Sequence, residues 1–417
     1  MLSTRRTHCL PTFLLGCLTV ALLTTQVMAI DPVTIDYTNG QTVATPYDTT
    51  TGILSLSIPY GTATQSAPLT GSGSVIKADA GTLILSASND YSGGTTLNAG
   101  TLQVVAGGAI SHSSSDLIIG DQSGDVATLL LSGGSVTNAN GILGNNAGST
   151  GTANVSGGSW TNNSDLTVGN NGTGVLNLTN HGTVSVGNDT LYLASNIGSI
   201  GTLNFGTGGV AGTLLAEYVS GGGGTAVVNF NHTGSYTFNP EMDGNLSVNQ
   251  FGPGTTTLTA GNTYTGDTSV LGGTLELKAI KFEILSESSS LDMGSGTLLL
   301  TGSKADQFLN GLNTVGGAGS IVLGGLNQIL DLGSLGTVAD SSALNFNTAA
   351  GGADGGYSGI ASSNFTARPP VTPSIPASPS PTLPASASPR SMIKISWSAS
   401  PPPTSFRPAL PFPRSKT

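Results

Sequence analysis

The histidines are the first candidates for chemistry, because imidazole exchanges protons and binds metals near neutral pH. Three of the four lie beyond the N-terminal segment: His112, His181 and His232. Each stands alone in a Ser-, Asn- or Gly-rich stretch, with no Cys and no clustered carboxylates nearby in the sequence. A zinc site needs three or four ligands of these types. We therefore predict that these histidines are surface residues and that the protein holds no metal and no cofactor.

Paired carboxylates are the second candidates, because glycoside hydrolases use two of them about 5 to 9.5 Å apart. Asp121 with Asp125 could form a pair within one turn, and Asp165 with Asp189 could form one between repeats. Lyases acting on acidic sugars need Lys or Arg, and residues 30–366 contain four lysines and no Arg. Solvated turns explain these aspartates more simply. We predict no catalytic residues and no enzyme, with a polysaccharide hydrolase or lyase as the alternative.

Gly-rich turns are the third candidates. Residues 120–125, GDQSGD, and 351–356, GGADGG, are similar to Gly-Asp calcium turns, but the pattern is not repeated in tandem. Asp and Asn favour such turns without any ligand. The glycines at 221–224 are not followed by Lys-Ser, as they would be in a phosphate loop. These segments therefore predict turns and no bound ion.

The composition excludes several classes of protein. Only 8% of the residues are charged, against about 25% in ordinary domains. Residues 30–366 hold all 22 acidic residues and four lysines, a net charge of −18. A nucleic-acid binder would need clustered Lys and Arg, and an acidic surface is repelled by nucleic acids and anionic membranes. We therefore predict no nucleic-acid partner.

Residues 1–29 predict a signal peptide. Arg5 and Arg6 precede an apolar run at 13–23, and Val27-Met28-Ala29 is a small-residue cleavage site. The run is too short for a membrane helix, so we predict Sec export and no membrane span in the mature chain. Both cysteines, Cys9 and Cys17, lie in this leader, which excludes a disulfide in the mature protein. Cys17 ends a segment similar to a lipoprotein box, and its lipidation stays open.

Internal repeats predict the architecture. Gly120, Gly144, Gly169 and Ala194 occupy equivalent positions in successive repeats, at nearly equal intervals along the chain. Between them, short stretches alternate apolar and small polar residues, which is typical of strands, and Gly and Asn separate these stretches as turns. One unit cannot bury its apolar side chains alone, whereas stacked units share a continuous core. The sequence therefore predicts an all-β solenoid.

A second type of repeat occurs once before and once after the first type in the sequence. Residues 81–104, GTLILSASNDYSGGTTLNAGTLQV, align without gaps to 254–277, GTTTLTAGNTYTGDTSVLGGTLEL. The shared residues include Asn89 with Asn262 and Tyr91 with Tyr264. This pattern, with a partial copy at 296–300, resembles the autotransporter-associated β-strand repeat of bacterial surface proteins. The resemblance implies a right-handed parallel β-helix, and it implies no catalytic residues.

Asn residues recur at the ends of strand-like stretches in successive units. They are Asn138, Asn162, Asn180 and Asn188. Stacked amides can bond to one another from turn to turn, so we predict a structural Asn ladder.

The predicted organisation is a signal peptide at 1–29, a solenoid at 30–366 and a disordered Pro-rich tail at 367–417. With about 24 residues and 4.8 Å per turn, some 14 turns would form a rod of about 65 Å. The tail contains six basic residues and no Gly or acidic residue, and it begins where a further repeat is due. Our hypothesis is a shifted reading frame or a truncation product, and a real linker is the alternative. Translation of the other two frames tests it.

The predicted function is non-catalytic. An exported rod faced with Thr, Ser and Asn suits an adhesin, spacer or matrix component that contacts glycans or surfaces through weak polar contacts. The alternatives are a carbohydrate-active β-helix enzyme and a fragment of a longer autotransporter-like protein. The predicted location is the cell surface, the outer membrane or the medium.

Overall fold

The computed structural model describes residues 32–50, 52–187, 190–279 and 290–302, with six short segments beyond them. These segments are 314–316, 318–323, 329–331, 337–338, 345–348 and 356–358. The signal peptide and the Pro-rich tail lie outside the described residues, as do Asn188 and Asp189. Predictions about them stay predictions.

The described chain is a parallel β-solenoid without helices, which confirms the predicted fold class. The turns up to Glu241–Gln250 contribute strands to three faces, the turns that follow contribute strands mainly to the second and third faces, and each strand pairs in parallel with its counterpart one turn away. Two isolated bridges, Val105 with Gly133 and Thr179 with Ala211, are antiparallel. No helix among the described residues has the length and apolarity to cross a bilayer. The right-handed winding stays a prediction from the family resemblance.

The first face consists of short strands, and its last two members are the N-terminal parts of long strands that continue onto the second face. Its strands are Val33–Asp36, Leu54–Ser57, Val75–Ala78, Thr95–Leu97, Leu117–Ile119, Gly141–Leu143, Leu166–Val168, Thr190–Leu193, and the first parts of Tyr218–His232 and Glu241–Gln250. Ile329–Asp331 and Gly356–Ser358 form a separate pair.

The second face has the longest strands and is therefore the widest. Its strands are Thr42–Val43, Thr62–Gln65, Thr82–Leu85, Ala99–Val105, Val126–Ser132, Thr150–Ser156, Thr173–Thr179, Ile200–Gly209, the second parts of Tyr218–His232 and Glu241–Gln250, Thr268–Val270, Ser290–Asp292, Thr314–Gly316 and Thr337–Val338.

The third face is divided into three sheets. Its strands are Tyr47–Asp48, Leu69–Thr70, Ser88–Asn89, Ala109–His112, Ser135–Asn138, Ser159–Asn162, Thr183–Val186, Thr213–Leu215, Ser235–Phe238, Thr255–Leu258, Thr274–Ala279, Thr297–Gly302, Ser320–Leu323 and Asn345–Thr348.

The core follows directly from the period-two alternation of the strands. In Thr150–Ser156 and Thr173–Thr179, every second residue is buried and the residues between them face outward. Equivalent inward residues stack in register, so that one column of the second face contains Leu83, Leu102, Leu129, Ala153, Leu176, Leu203 and Val228. Stacked turns therefore share one continuous apolar core.

The core contains one large side chain that requires a glycine beside it. Trp160 is fully buried on the third face. A Cβ atom at Gly141 would lie 2.8 Å from Cζ2 of Trp160 and 2.7 Å from Cδ1 of Leu166. Gly141 thus leaves the space that the indole occupies.

The turns are not uniform in length, so the approximate repeat used to predict the number of turns does not describe every turn. Thr82 is in register with Thr101, whereas Leu191 is in register with Val219 across a considerably longer stretch of chain. The difference lies in the strands as well as in the corners, because the second-face strand of the shorter turn is Thr82–Leu85 and that of the longer turn is Ile200–Gly209. The regular spacing seen in the sequence belongs to the middle turns.

Candidate binding surface

His112 lies at the end of a buried chain of hydrogen bonds. The hydroxyl oxygens of Tyr91 and Thr95 are 2.5 Å apart, and Thr95 Oγ1 is 2.8 Å from His112 Nε2. His112 Nδ1 is 3.0 Å from the carbonyl oxygen of Ser115, which can only accept. Nδ1 therefore carries the proton, Thr95 donates to Nε2, and Tyr91 donates to Thr95. Burial lowers the pKa of His112 and raises that of Tyr91.

His232 forms a second buried network. Its Nε2 is 2.8 Å from Thr256 Oγ1, and Thr256 donates to Gln250 Oε1 at 2.6 Å. Burial lowers the pKa of His232 as well.

The prediction of surface histidines is therefore wrong for two of the three. His112 is 2% exposed and His232 is 0% exposed, whereas His181 is exposed in a corner as predicted. The lone positions in polar sequence were misleading, because both buried rings point inward from strand ends and bond to Thr hydroxyls. Both networks are buried in the core, away from any substrate at the surface. Their hydrogen bonds stabilise the core.

Lys77 is a buried cation, with the side chain 0% exposed. Its Nζ donates to the carbonyl oxygens of Ala78, Asp79 and Ala99 at 2.6, 2.8 and 3.2 Å. Desolvation lowers the pKa of Lys77 to about 8, and the nearby Asp79 charge opposes this. The three carbonyls lie at a corner that joins two turns, so the lysine holds that corner from inside.

The shared residues of the two repeats have the same structural roles in both copies. Asn89 Oδ1 accepts from Leu69 N at 2.9 Å, and Asn262 Oδ1 accepts from Met242 N at 2.8 Å, each in the preceding turn. Tyr264 contacts Thr268 at 2.7 Å, as Tyr91 contacts Thr95. The repeat motif thus encodes bonds between turns.

The glycine of the Gly-Thr-Leu element has a conformational role. Gly100 and Gly273 have φ angles of +67° and +57°, which side chains rarely adopt. A Cβ atom at either position would also lie within 2.5 Å of carbonyl oxygens of the preceding turn. Any other residue would be strained at these corners.

The two copies lie on different faces of the solenoid. In the first copy, Thr82–Leu85 and Ala99–Val105 lie on the second face. The equivalent strands of the second copy, Thr255–Leu258 and Thr274–Ala279, lie on the third face. The motif is therefore displaced by one face between the copies, and it defines a local turn geometry rather than a particular side of the rod.

The candidate aspartates lie in corners. Asp125 Oδ2 accepts from Gln122 N at 2.8 Å, and Asp121 Oδ1 accepts from Asn145 Nδ2 in the next turn at 2.7 Å. Both carboxylates serve turn and ladder hydrogen bonds, as the turn interpretation predicts. The partner proposed for Asp165, Asp189, lies outside the described residues. Among the described residues, no three His, Cys, Asp or Glu side chains are grouped to hold a metal.

The predicted Asn ladder exists in part. Asn138 Nδ2 donates to Asn162 Oδ1 at 2.8 Å inside the third face, and Trp160 Nε1 donates to Asn138 Oδ1 at 2.6 Å. The next position in register is Val186, and Asn180 lies exposed in a corner, so the prediction is wrong for Asn180.

A longer ladder, which we did not predict, faces outward on the second face. We call it the amide row: Asn154, Asn177, Asn204, Asn229 and Asn249. Each Nδ2 donates to Oδ1 of the preceding member, at 2.6, 2.7, 2.8 and 2.9 Å along the row. The available signal was an Asn after a small or apolar pair in each strand: TAN, VLN, TLN, VVN and SVN.

The surface around the amide row carries no charge. From Ala99–Val105 to residues 246–250, the second-face segments contain no Asp, Glu, Lys or Arg. The outward residues beside the row are small and uncharged: Thr152, Val175, Thr202, Val227 and Ser247. Acidic residues of the same turns, such as Asp121 and Asp125, lie in corners. The second face is therefore a wide sheet without charged side chains in these turns, and Asp121 and Asp125 lie in the corner at one of its edges.

Comparisons with known proteins agree with this architecture. Residues 75–104 and 248–277 match the passenger-associated-transport-repeat family. The chain is 29% identical over 316 residues to the adhesin BmaC autotransporter of Brucella suis biovar 1 (strain 1330). That alignment covers 72% of this chain and 9% of the relative. No solved structure matches the chain.

The chain is a parallel β-solenoid that contains two passenger-associated-transport repeats, and over part of its length it is similar to an autotransporter adhesin.

Proposed function

We propose that this protein is a non-catalytic adhesin that holds glycans or other surfaces against the cell through the neutral second face. The observation that carries the proposal is the width and neutrality of that face. Its strands, from Ala99–Val105 to the second-face part of Glu241–Gln250 at residues 246–250, contain no Asp, Glu, Lys or Arg. Flat polar sheets offer many weak hydrogen bonds and no enclosed pocket, which favours adhesion over the turnover of a small molecule.

Two further observations support this proposal. The relative is named an adhesin, and the buried positions of His112 and His232 remove these two groups from chemistry at the surface. The acidic body also disfavours nucleic acids and anionic membranes as partners.

Export belongs to the same proposal. The segment 1–29 would direct the chain to the Sec pathway, and cleavage after Ala29 would leave a mature chain beginning at Ile30. N-terminal sequencing of the exported protein tests this. A chain that keeps residues 1–29, or one that is lipidated at Cys17, would contradict it.

Adhesion is tested with the purified full chain coated on beads. We expect the coated beads to adhere to glycan-bearing surfaces more than beads coated with an unrelated acidic protein of similar size. Equal adhesion of the two sets of beads would refute the proposal.

Catalysis is tested on the same preparation with a panel of polysaccharides. We expect no release of reducing ends or unsaturated uronates. Release that is lost in the Asp121→Asn, Asp125→Asn double variant would favour the carbohydrate-active alternative.

A further inference from the structure

We propose that the amide row binds a straight, neutral glycan chain lying along the solenoid axis, with about one sugar ring to each turn. This inference rests on the proposed adhesive function and specifies its site and its ligand.

The first step is a count of hydrogen-bonding groups. An Asn side chain has two N–H donors and an oxygen with two lone pairs. Within the row, each of Asn177, Asn204 and Asn229 uses one N–H and one lone pair on its neighbours. One N–H and one lone pair of each inner amide therefore stay unused by the row. A sugar hydroxyl both donates and accepts, and it complements this combination.

The second step is preorganisation. Each inner amide is half-buried and is fixed in orientation by a bond on either side. A ligand therefore does not have to immobilise these side chains, which would otherwise weaken binding. An isolated surface Asn has no such advantage.

The third step is spacing. Parallel strands are about 4.8 Å apart, so the row repeats its unused groups at that interval in a straight line. An extended β-1,4-linked glycan advances by a similar distance for each ring and stays straight. A curled α-1,4-linked glucan would leave the row within a few turns.

The fourth step is charge. The described strands of the second face contain no Lys or Arg to hold a carboxylate or sulfate, and the corner before Val126–Ser132 carries Asp121 and Asp125. Anionic glycans are therefore disfavoured. The row is suited to uncharged chains.

The test uses the full chain with four soluble probes: cellohexaose, chitohexaose, maltohexaose and hexagalacturonate. We expect calorimetry to detect binding of cellohexaose or chitohexaose, and at least about tenfold weaker binding of the other two. The triple variant Asn177→Thr, Asn204→Thr, Asn229→Thr removes the row. Thr is well suited to strands, so the sheet is retained, and affinity should fall at least about tenfold because several hydrogen bonds are lost.

The matched control is the corner ladder, in which Asn170 Nδ2 donates to Asn145 Oδ1 at 3.0 Å and Asn196 Nδ2 lies 3.3 Å from Asn170 Oδ1. The double variant Asn170→Ser, Asn196→Ser removes similar amide contacts away from the second face. Its affinity for the hexasaccharides should equal that of the wild type. If the triple variant does not fold, NMR of the wild type replaces it, and the side-chain amide signals of the row should shift selectively on titration.

Three results would overturn the inference: no binding of either straight hexasaccharide, unchanged affinity in the folded triple variant, or equal binding of maltohexaose. Selective shifts elsewhere in the NMR titration would do the same. Bead adhesion without hexasaccharide binding would refute the inference and leave the adhesive function standing. Hexasaccharide binding that depends on the amide row, without bead adhesion, would support the inference and refute the adhesive function.

Discussion

The repeat turns, which contain residues 75–104 and 248–277, and the outward surface of the second face use polar side chains in opposite ways. The repeat turns are short, with Val75 in register with Thr95, and polar residues including Lys77 and Asn89 are buried in them. The middle turns are longer, with Val126 in register with Thr150; they bury Asn138 and Asn162 on the third face, and the amide row begins on their second face and faces outward. Asn therefore stabilises the core where it points inward and is available to a ligand where it points outward from the second face.

Removal of the Trp160 side chain should have the largest effect on stability. The indole fills space left by Gly141, so Trp160→Ala should lower the free energy of unfolding by about 3 to 5 kcal/mol, measured by urea denaturation. Tyr192→Ala is the control, because Tyr192 is 40% exposed. An equal loss in the two variants would contradict the tight packing of the middle turns.

Asn89→Ala sharpens the comparison between buried and outward amides. It leaves Leu69 N and the carbonyl oxygens of Ala87 and Ala109 without their side-chain partner, which should cost about 2 to 3 kcal/mol. Asn204→Ala, in the amide row, should cost at most about 1 kcal/mol because water can replace its bonds. Thermal or urea unfolding measures both, and the opposite order would refute the division of roles.

Because Lys77 is buried, we predict that the free energy of unfolding increases with pH in the alkaline range. Its pKa is about 8 in the folded protein and 10.5 ordinarily. Between these values the unfolded chain binds more protons at this site than the folded one, so stability should rise as pH increases from about 8 to about 9. Above that range the buried Tyr91 and Tyr264, whose pKa values burial raises, oppose the rise. In Lys77→Met, urea midpoints across this range should show no such rise. A wild type that shows none either would contradict the burial of the charge.

Because His112 and His232 are buried, we predict that the free energy of unfolding decreases in acid, by less than the change expected from Lys77. His112 and His232 have pKa values below the ordinary 6.5, so below that pH the unfolded chain binds more protons. Stability should therefore fall as pH drops below about 6.5. The loss should be reduced in His112→Gln, His232→Gln, while His181→Gln, at an exposed corner, should behave as the wild type. Equal acid sensitivity of all three proteins would argue against the two networks.

The fold was predictable from the sequence, but the positions of its polar groups were predictable only in part. Period-two alternation and the recurring glycines indicate strands, corners and stacking, so the solenoid followed from the repeats, and the resemblance to the autotransporter-associated repeat added the parallel arrangement. Whether a polar side chain points inward depends on strand register, which shifts every residue between core and surface when it changes by one. His112 was misassigned for that reason. The amide row was missed because its members lie far apart in the sequence, and only the aligned register shows them as neighbours.

Adhesion per folded molecule tests the division between the two regions most directly. Beads coated with Asn89→Ala and beads coated with Val227→Arg would be compared, with the folded fraction of each measured by circular dichroism. We predict that Asn89→Ala lowers the melting temperature and leaves adhesion per folded molecule unchanged, whereas Val227→Arg keeps the melting temperature and loses adhesion because a charge then lies beside the amide row. Full adhesion in folded Val227→Arg would contradict the assignment of the second face as the binding surface.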